Sequence, residues 1–201
     1  MTKRSLAALL LCLALALPGA ARAETDARSV VQKFDDALLA SMKDGQKLGF
    51  KGRSEKLRPT LNATFDWDAM VRGTLGPTAA KLSPDELARL TAAFARFSEA
   101  NWASQFDEFN DERFEVGEPK ASTGDHLLVP NRIVEKSGKT TPIDYLVHQV
   151  GGQWRVVDVL MDGAISEVAR RRSEFVPIVR AKGVDGLIEM LDNQSVKLGS
   201  K

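Results

Sequence analysis

Cysteine is all but missing from the 201-residue sequence: Cys12 is the only one, and it sits inside an N-terminal apolar run. Lys3 and Arg4 precede that run, which extends from Leu6 to Leu17; Pro18-Gly19 breaks it and Ala21-Arg22-Ala23 follows. This pattern reads as a secretory signal peptide over residues 1–23 with an A-x-A cleavage site, leaving one domain over residues 24–201 in the periplasm. Leu9-Leu10-Leu11, rather than small residues, stand before Cys12, which argues against lipidation. Without the leader no thiol remains, so disulfides, thiol nucleophiles and cysteine-bound zinc are excluded. A chain of this length buries roughly 70 % of its unfolded surface without such staples.

Other scarcities narrow the field further. Spanning a bilayer takes about 20 apolar helical residues; the leader's run is shorter, and nothing later is comparably apolar. The mature chain is therefore read as released from the membrane. His126 and His148 are the only histidines. Both fall in expected strands with no His or Glu at metal-ligand spacing, so they read as ordinary strand residues and no metal or cofactor is expected. There is no Gly-rich phosphate loop and no nucleophile elbow. Cleavage removes Lys3, Arg4 and Arg22 and no acid, so the 28 basic and 27 acidic residues become 25 and 27, a net charge of −2. That balance argues against nucleic acid as partner, though not against a local basic patch.

What is present is periodicity. Val30, Phe34, Leu38 and Met42 recur on one face of an amphipathic helix from Asp26 to Met42, with Gly45 as its stop and Lys33, Asp35, Asp36 and Lys43 elsewhere. Leu57, Leu61 and Phe65, interrupted by Pro59, and a short helix capped by Asp66 that carries Met70 form small packed pieces. Ser83-Pro84-Asp85-Glu86 combines an N-cap serine, proline at the first helical position and a capping-box glutamate. Leu87, Leu90, Phe94, Phe97, Asn101, Phe106 and Phe109 then follow at helical spacing to about residue 108. The period changes to two over 113–119, 125–136, 140–150 and 153–161, with Gly151-Gly152 as a hairpin turn. Helical spacing returns after Asp162-Gly163, with Pro177 bending or restarting the helix, Gly183 stopping it, and a last helix carrying Leu187, Ile188 and Leu191. The order predicts an α+β fold in which a four-stranded, curled antiparallel sheet is covered on one face by helices.

Close carboxylate pairs arise readily in so charged a chain; Asp66 reads as a cap and Asp162 as a turn residue. Asp158 lies between Val156 and Leu160 in an apolar strand. Burial beside a basic partner is its structural reading, and a raised pKa for acid or base catalysis its functional one. Arg170-Arg171-Arg172 is either a solvated charged face or a contact for anionic head groups or an acidic docking surface.

Five segments of the second half, Tyr145-Leu146-Val147, Trp154-Arg155-Val156-Val157-Asp158-Val159, Asp162 to Ser166, Arg172-Ser173-Glu174-Phe175 and Gly183 to Ile188, follow Gly52-Arg53 with Leu57, Phe65-Asp66 with Met70, Leu75-Gly76 and the Ser83 helix. In this order they resemble the MlaC-like family of periplasmic phospholipid-binding proteins, also called toluene-tolerance auxiliary proteins, over nearly all of the mature chain. Ala103 to Phe109 and Glu112 to Val116 are most similar to its HpnM branch, which accompanies hopanoid biosynthesis. Trp102, where many relatives have Tyr, and the inserted Ala164-Ile165 depart from the family pattern.

The resemblance implies a carrier, not an enzyme, that takes a phospholipid or hopanoid by its apolar part. It implies passage between an inner-membrane ABC transporter complex and an outer-membrane lipoprotein or porin complex, with transient membrane contact. A pocket at the upper end of the usual size range is expected between sheet and helices. Met70, Leu75, Phe97, Trp102, Phe106, Leu146, Trp154, Val156, Leu160, Phe175 and Ile178 are its candidate lining, although apolar residues at these periods also serve simply as core. Arg170, Arg171 and Arg172 are candidates for head-group or partner contact. Two alternatives remain open: an enzyme using Asp158 on an apolar isoprenoid lipid, and a tether that joins two membrane complexes and carries nothing.

Overall fold

Ala27, Val31, Phe34, Leu38 and Met42 are buried along one stripe of α1 (Pro18–Lys43), as its spacing requires. The computed structural model describes the backbone of residues 18–200 and the side chains of residues 26–200; the apolar run of the leader, and Cys12 with it, lie outside these. Helical backbone already covers residues 18–25, ahead of the expected start at Asp26. Asp35 lies inside the buried stripe, contrary to its expected place on the solvated side.

α2 (Gly45–Thr64) is interrupted at Gly49 and then runs through Pro59 without a break. Pro59 is exposed there, so its ring meets solvent while Leu57 and Leu61 pack inward. α3 (Trp67–Leu75) starts at Asp66, whose carboxylate accepts the Ala69 amide at 3.0 Å. A 3-10 turn, Gly76–Lys81, leads to α4 (Pro84–Gln105). The predicted capping box is formed in both directions: Ser83 Oγ accepts from the Glu86 amide at 3.2 Å, and the Glu86 carboxylate accepts from the Ser83 amide at 2.8 Å. α4 ends at Gln105, earlier than its spacing alone suggests.

Among the described residues the sheet has seven strands, not four, and each strand-to-strand pairing is antiparallel. β1 (Arg113–Val116) occupies the first expected run, and β2 (Lys120–Ala121) lies just beyond it, after Pro119, where no strand was expected. β3 (Leu127–Val129) and β4 (Asn131–Val134) share the second, divided by Pro130, which has no amide hydrogen to give. His126 precedes β3 instead of lying within a strand. Both halves pair with one edge of β5 (Thr140–Val150), and β6 (Gln153–Met161) pairs with the other. Gly151 and Gly152, at φ of 56° and 78°, close the β5–β6 hairpin in the left-handed geometry such two-residue turns require. β7 (Ile165–Ser166) adds a short edge.

A bulge in β6 decides which side chains face inward. Val147 pairs with Val156 and Leu146 with Asp158, so Val157 has no partner. The extra residue reverses the alternation. Trp154 and Val156 are buried before it, Val159 after it, and Leu160 falls on the opposite face.

α5 (Glu167–Gly199) lies over the helical layer as two segments that meet at Gly183, where φ is 70° and ψ −175°. The expected stop at Gly183 is thus present, and Pro177 sits within the first segment without ending it. Helices cover the inner face of the sheet, where Ile143, Tyr145, Val147, Val156 and Val159 are buried.

Candidate functional site

Aromatic residues from four helices and the α2–α3 junction assemble beneath the sheet. Phe34 meets Phe65 and Trp102 edge-on at 5.2 and 5.0 Å between centroids; Trp102 stacks on Phe106 at 5.2 Å, and Phe65 on Trp67 at 4.8 Å. Trp67 continues to Phe94 and Phe94 to Phe175. Large flat side chains arranged edge to face cannot close every gap between a curled sheet and straight helices. A cavity of about 150 Å³ remains.

Met70 and Thr74 of α3, Phe94, Phe97, Trp102 and Phe106 of α4 and its end, Ile143 of β5, Val159 and Met161 of β6, and Val168 of α5 form its wall with Phe65 and Trp67. Ser98, Asn101, Gln105, Glu167, Arg170 and Arg171 supply its polar edge. The volume is below the 300–1,000 Å³ common for ligand pockets, and so smaller than the large pocket expected.

Of the eleven apolar candidates, Met70, Phe97, Trp102 and Phe106 line this cavity. Leu146 and Leu160 face away from it, the first through strand alternation and the second through the Val157 bulge. Val156 is on the inner face but fully buried, bridged to Phe65 and accepting the Asp66 amide at 2.9 Å. Trp154 and Phe175 are core residues, and Ile178 packs partly buried against that core. Leu75 borders a separate outer groove with Pro77, Lys81, Arg172 and Arg180. Trp67, Phe94, Val159 and Met161 also line it and are not among the sequence candidates; the Val157 bulge turns Val159 and Met161 inward, and no periodicity reveals it.

The arginine run divides into three environments. Arg170 forks onto Glu167 at 2.6 and 2.9 Å and reaches Glu174 at 2.7 Å. Arg172 donates twice to the Gly73 carbonyl at 2.7 and 2.9 Å, satisfying an end of α3. Arg171 turns inward over the Phe97 ring, 4.6 Å from its centroid.

Asp158 has its oxygens committed: they accept from the amides of Val159 and Val168 at 2.8 and 3.0 Å and from Ser166 Oγ at 2.5 Å. It is half-buried, anchors the start of α5 and lies on the face opposite the cavity; its role is structural, but amides and a serine hold it where a buried basic partner was the expected form of that role. His148 Nε2 lies 2.9 Å from the Asp66 oxygen not used in the helix cap, and its ring stacks on His126 at 5.8 Å. Among the described residues no group of three or more His, Cys, Asp or Glu is arranged to hold a metal ion, and no helix is long and apolar enough to cross a membrane.

The most perturbed carboxyl lies elsewhere, between α1 and the sheet. Asp35 is fully buried and accepts from Asn131 Nδ2 at 3.2 Å. Desolvation, opposed by that hydrogen bond and reinforced by Asp36, raises its pKa to about 8. Tyr145, fully buried and repelled by Asp35, has its own pKa raised well above the usual 10.0, burial being the larger cause.

Comparison with known proteins places this architecture. The sequence model of the MlaC protein family matches residues 32–193. The toluene tolerance protein ttg2D of Pseudomonas putida is 24% identical over 181 residues, spanning 88% of this chain and 83% of that protein. A phospholipid-binding protein from Ralstonia solanacearum, solved in complex with a phospholipid, superposes with a TM-score of 0.71 at 18% identity, over 86% of this chain and 98% of that one. The last comparison shows a shared fold.

Proposed function

The chain belongs to the MlaC protein family, and from that premise we propose that it holds the acyl chains of a phospholipid in the aromatic-walled cavity and carries the lipid through the periplasm. Its route on this reading runs between an inner-membrane ABC transporter complex and an outer-membrane lipoprotein or porin complex, with brief membrane contact at each end. The carrying observation is an apolar cavity whose wall is built from Met70, Phe97, Trp102, Phe106, Val159 and Met161.

Physical chemistry supplies the need for such a wall. An exposed chain of about 14 methylenes costs on the order of 11 kcal/mol in water, at about 0.8 kcal/mol each. A protein that encloses the chain removes most of that barrier. Whole chains exceed the volume of the cavity, so uptake requires its walls to part. The unbranched Met70 and Met161 are the lining residues most able to adjust. The Ralstonia solanacearum protein with the same fold was solved with a phospholipid bound, which supports the same ligand class here. A hopanoid, the ligand suggested by the likeness of residues 103–109 to one branch, is distinguished by the same assay.

Val159→Phe and Ile143→Phe place larger side chains into the cavity from adjacent strands. Each is expected to reduce co-purified lipid several-fold, measured by mass spectrometry of solvent extracts, while retaining a single cooperative melt. Undiminished lipid in both folded variants would refute this cavity as the site.

A further inference from the structure

Two arginines, Arg170 and Arg171, line the cavity, and among the described residues Arg171 has few partners. The Arg171 side chain is 13% exposed, and its guanidinium lies 4.6 Å from the Phe97 centroid and 5.9 Å from that of Phe175. A guanidinium carries five N–H donors. Here it makes one hydrogen bond, a long one of 3.3 Å to Glu174, and its approach to Glu167 is 3.6 Å, beyond hydrogen-bond range. Arg170 holds the same two carboxylates by three bonds of 2.6 to 2.9 Å. The acids are thus engaged chiefly by Arg170, and Arg172 is spent on the Gly73 carbonyl.

Three arginines face two glutamates in this turn, which leaves one positive charge in excess. Burial first, and the neighbouring Arg170 second, push the Arg171 pKa below its ordinary value. An incoming anion would relieve both effects. The site therefore combines apolar walls, a planar cation stacked on an aromatic face, and the neutral polar groups of Ser98, Asn101 and Gln105. Its complement is an amphiphile with a phosphate next to its chains.

We propose that Arg171 recognises the phosphate of the bound lipid and selects phosphate-bearing amphiphiles over neutral ones with the same chains. This rests on the phospholipid reading of the cavity and adds to it the residue that discriminates the phosphate from a neutral head. Glu174, which accepts the one hydrogen bond that Arg171 makes, acts as the internal competitor that the phosphate displaces.

The test titrates delipidated protein with phosphatidylglycerol and with diacylglycerol of the same chains. The wild-type protein is expected to favour phosphatidylglycerol by about 10- to 100-fold, the range of a charge-assisted hydrogen bond or two. Arg171→Gln abolishes that preference, so that the ratio of the two affinities falls to about one. Arg171→Lys restores only a small part of it, because an ammonium lacks both fork and stack. Glu174→Gln, which leaves the guanidinium in place, raises phosphatidylglycerol affinity, and excess inorganic phosphate leaves the titrations unchanged. Equal affinity for the two lipids in the wild-type protein, or a preference retained in both Arg171 variants, overturns the proposal and leaves the lipid site standing. Competition by inorganic phosphate overturns its assignment to a lipid head group. Binding of neither lipid to the wild-type protein overturns the lipid reading itself.

Discussion

Replacing Asp35 by Asn should stabilise the protein, and by an amount that grows with pH. In the folded chain Asp35 keeps its proton up to about pH 8, whereas its ordinary value is 3.8. Between those values the native state binds a proton that the unfolded chain releases, so the contribution of Asp35 is fully present below about 3.8 and is lost as pH rises towards 8. Each pH unit in that window removes about 1.4 kcal/mol. From pH 5 to pH 7 the loss is therefore about 3 kcal/mol. Asn has nearly the same shape, hydrogen-bonds to Asn131 and has no proton to lose, so it is free of this slope. Urea denaturation of both proteins at pH 5, 6, 7 and 8 gives the difference directly, and comparison of the two cancels the titration of every other acid. The expected stability gap widens in favour of Asp35→Asn by about 1.4 kcal/mol per unit and levels off above pH 8. A gap that stays constant across the series would show that Asp35 ionises normally, and would refute its burial against Asn131 and Tyr145.

Three further perturbations follow from the same packing. Arg53 is buried and donates to the carbonyls of Ala103 and Gly45 at 2.8 and 2.9 Å; Arg53→Met strands both and should lower unfolding stability by about 2–4 kcal/mol, as read by chemical denaturation. Asp158→Ala removes the acceptor of the Val168 amide and of Ser166 Oγ, and should cost about 1–3 kcal/mol with lipid affinity unchanged; lost affinity at full stability would return Asp158 to a functional role. Val159→Ala should weaken lipid binding measurably, whereas Leu160→Ala, one residue on and across the sheet, should leave it within error; equal effects would contradict the register set by the bulge.

Much of the fold was legible because local chemistry and global packing agree. Ser83 and Glu86 write the start of α4, Gly151-Gly152 the hairpin, and the change from a period of 3.6 to one of 2 separates helices from strands. Where a single inserted residue matters, periodicity fails: Val157 shifts Leu160 outward and brings Val159 and Met161 to the cavity. The helical spacing places Asp35 off the apolar face of α1, yet the buried stripe is broad enough to take in a carboxyl beside Phe34, and its partner Asn131 is remote in sequence. Arg170-Arg171-Arg172 reads as one cationic run, yet each guanidinium meets a different neighbour, since successive helical residues point about 100° apart. The site's aromatic wall from α4 was visible in the spacing of Phe97 and Phe106; the strand residues opposite it were not.

The account is tested most directly by mass spectrometry of solvent extracts from the protein purified without detergent. It predicts glycerophospholipid bound in stoichiometric amount, and depleted in Val159→Phe. A protein that carries no lipid and takes up none when lipid is added would contradict it.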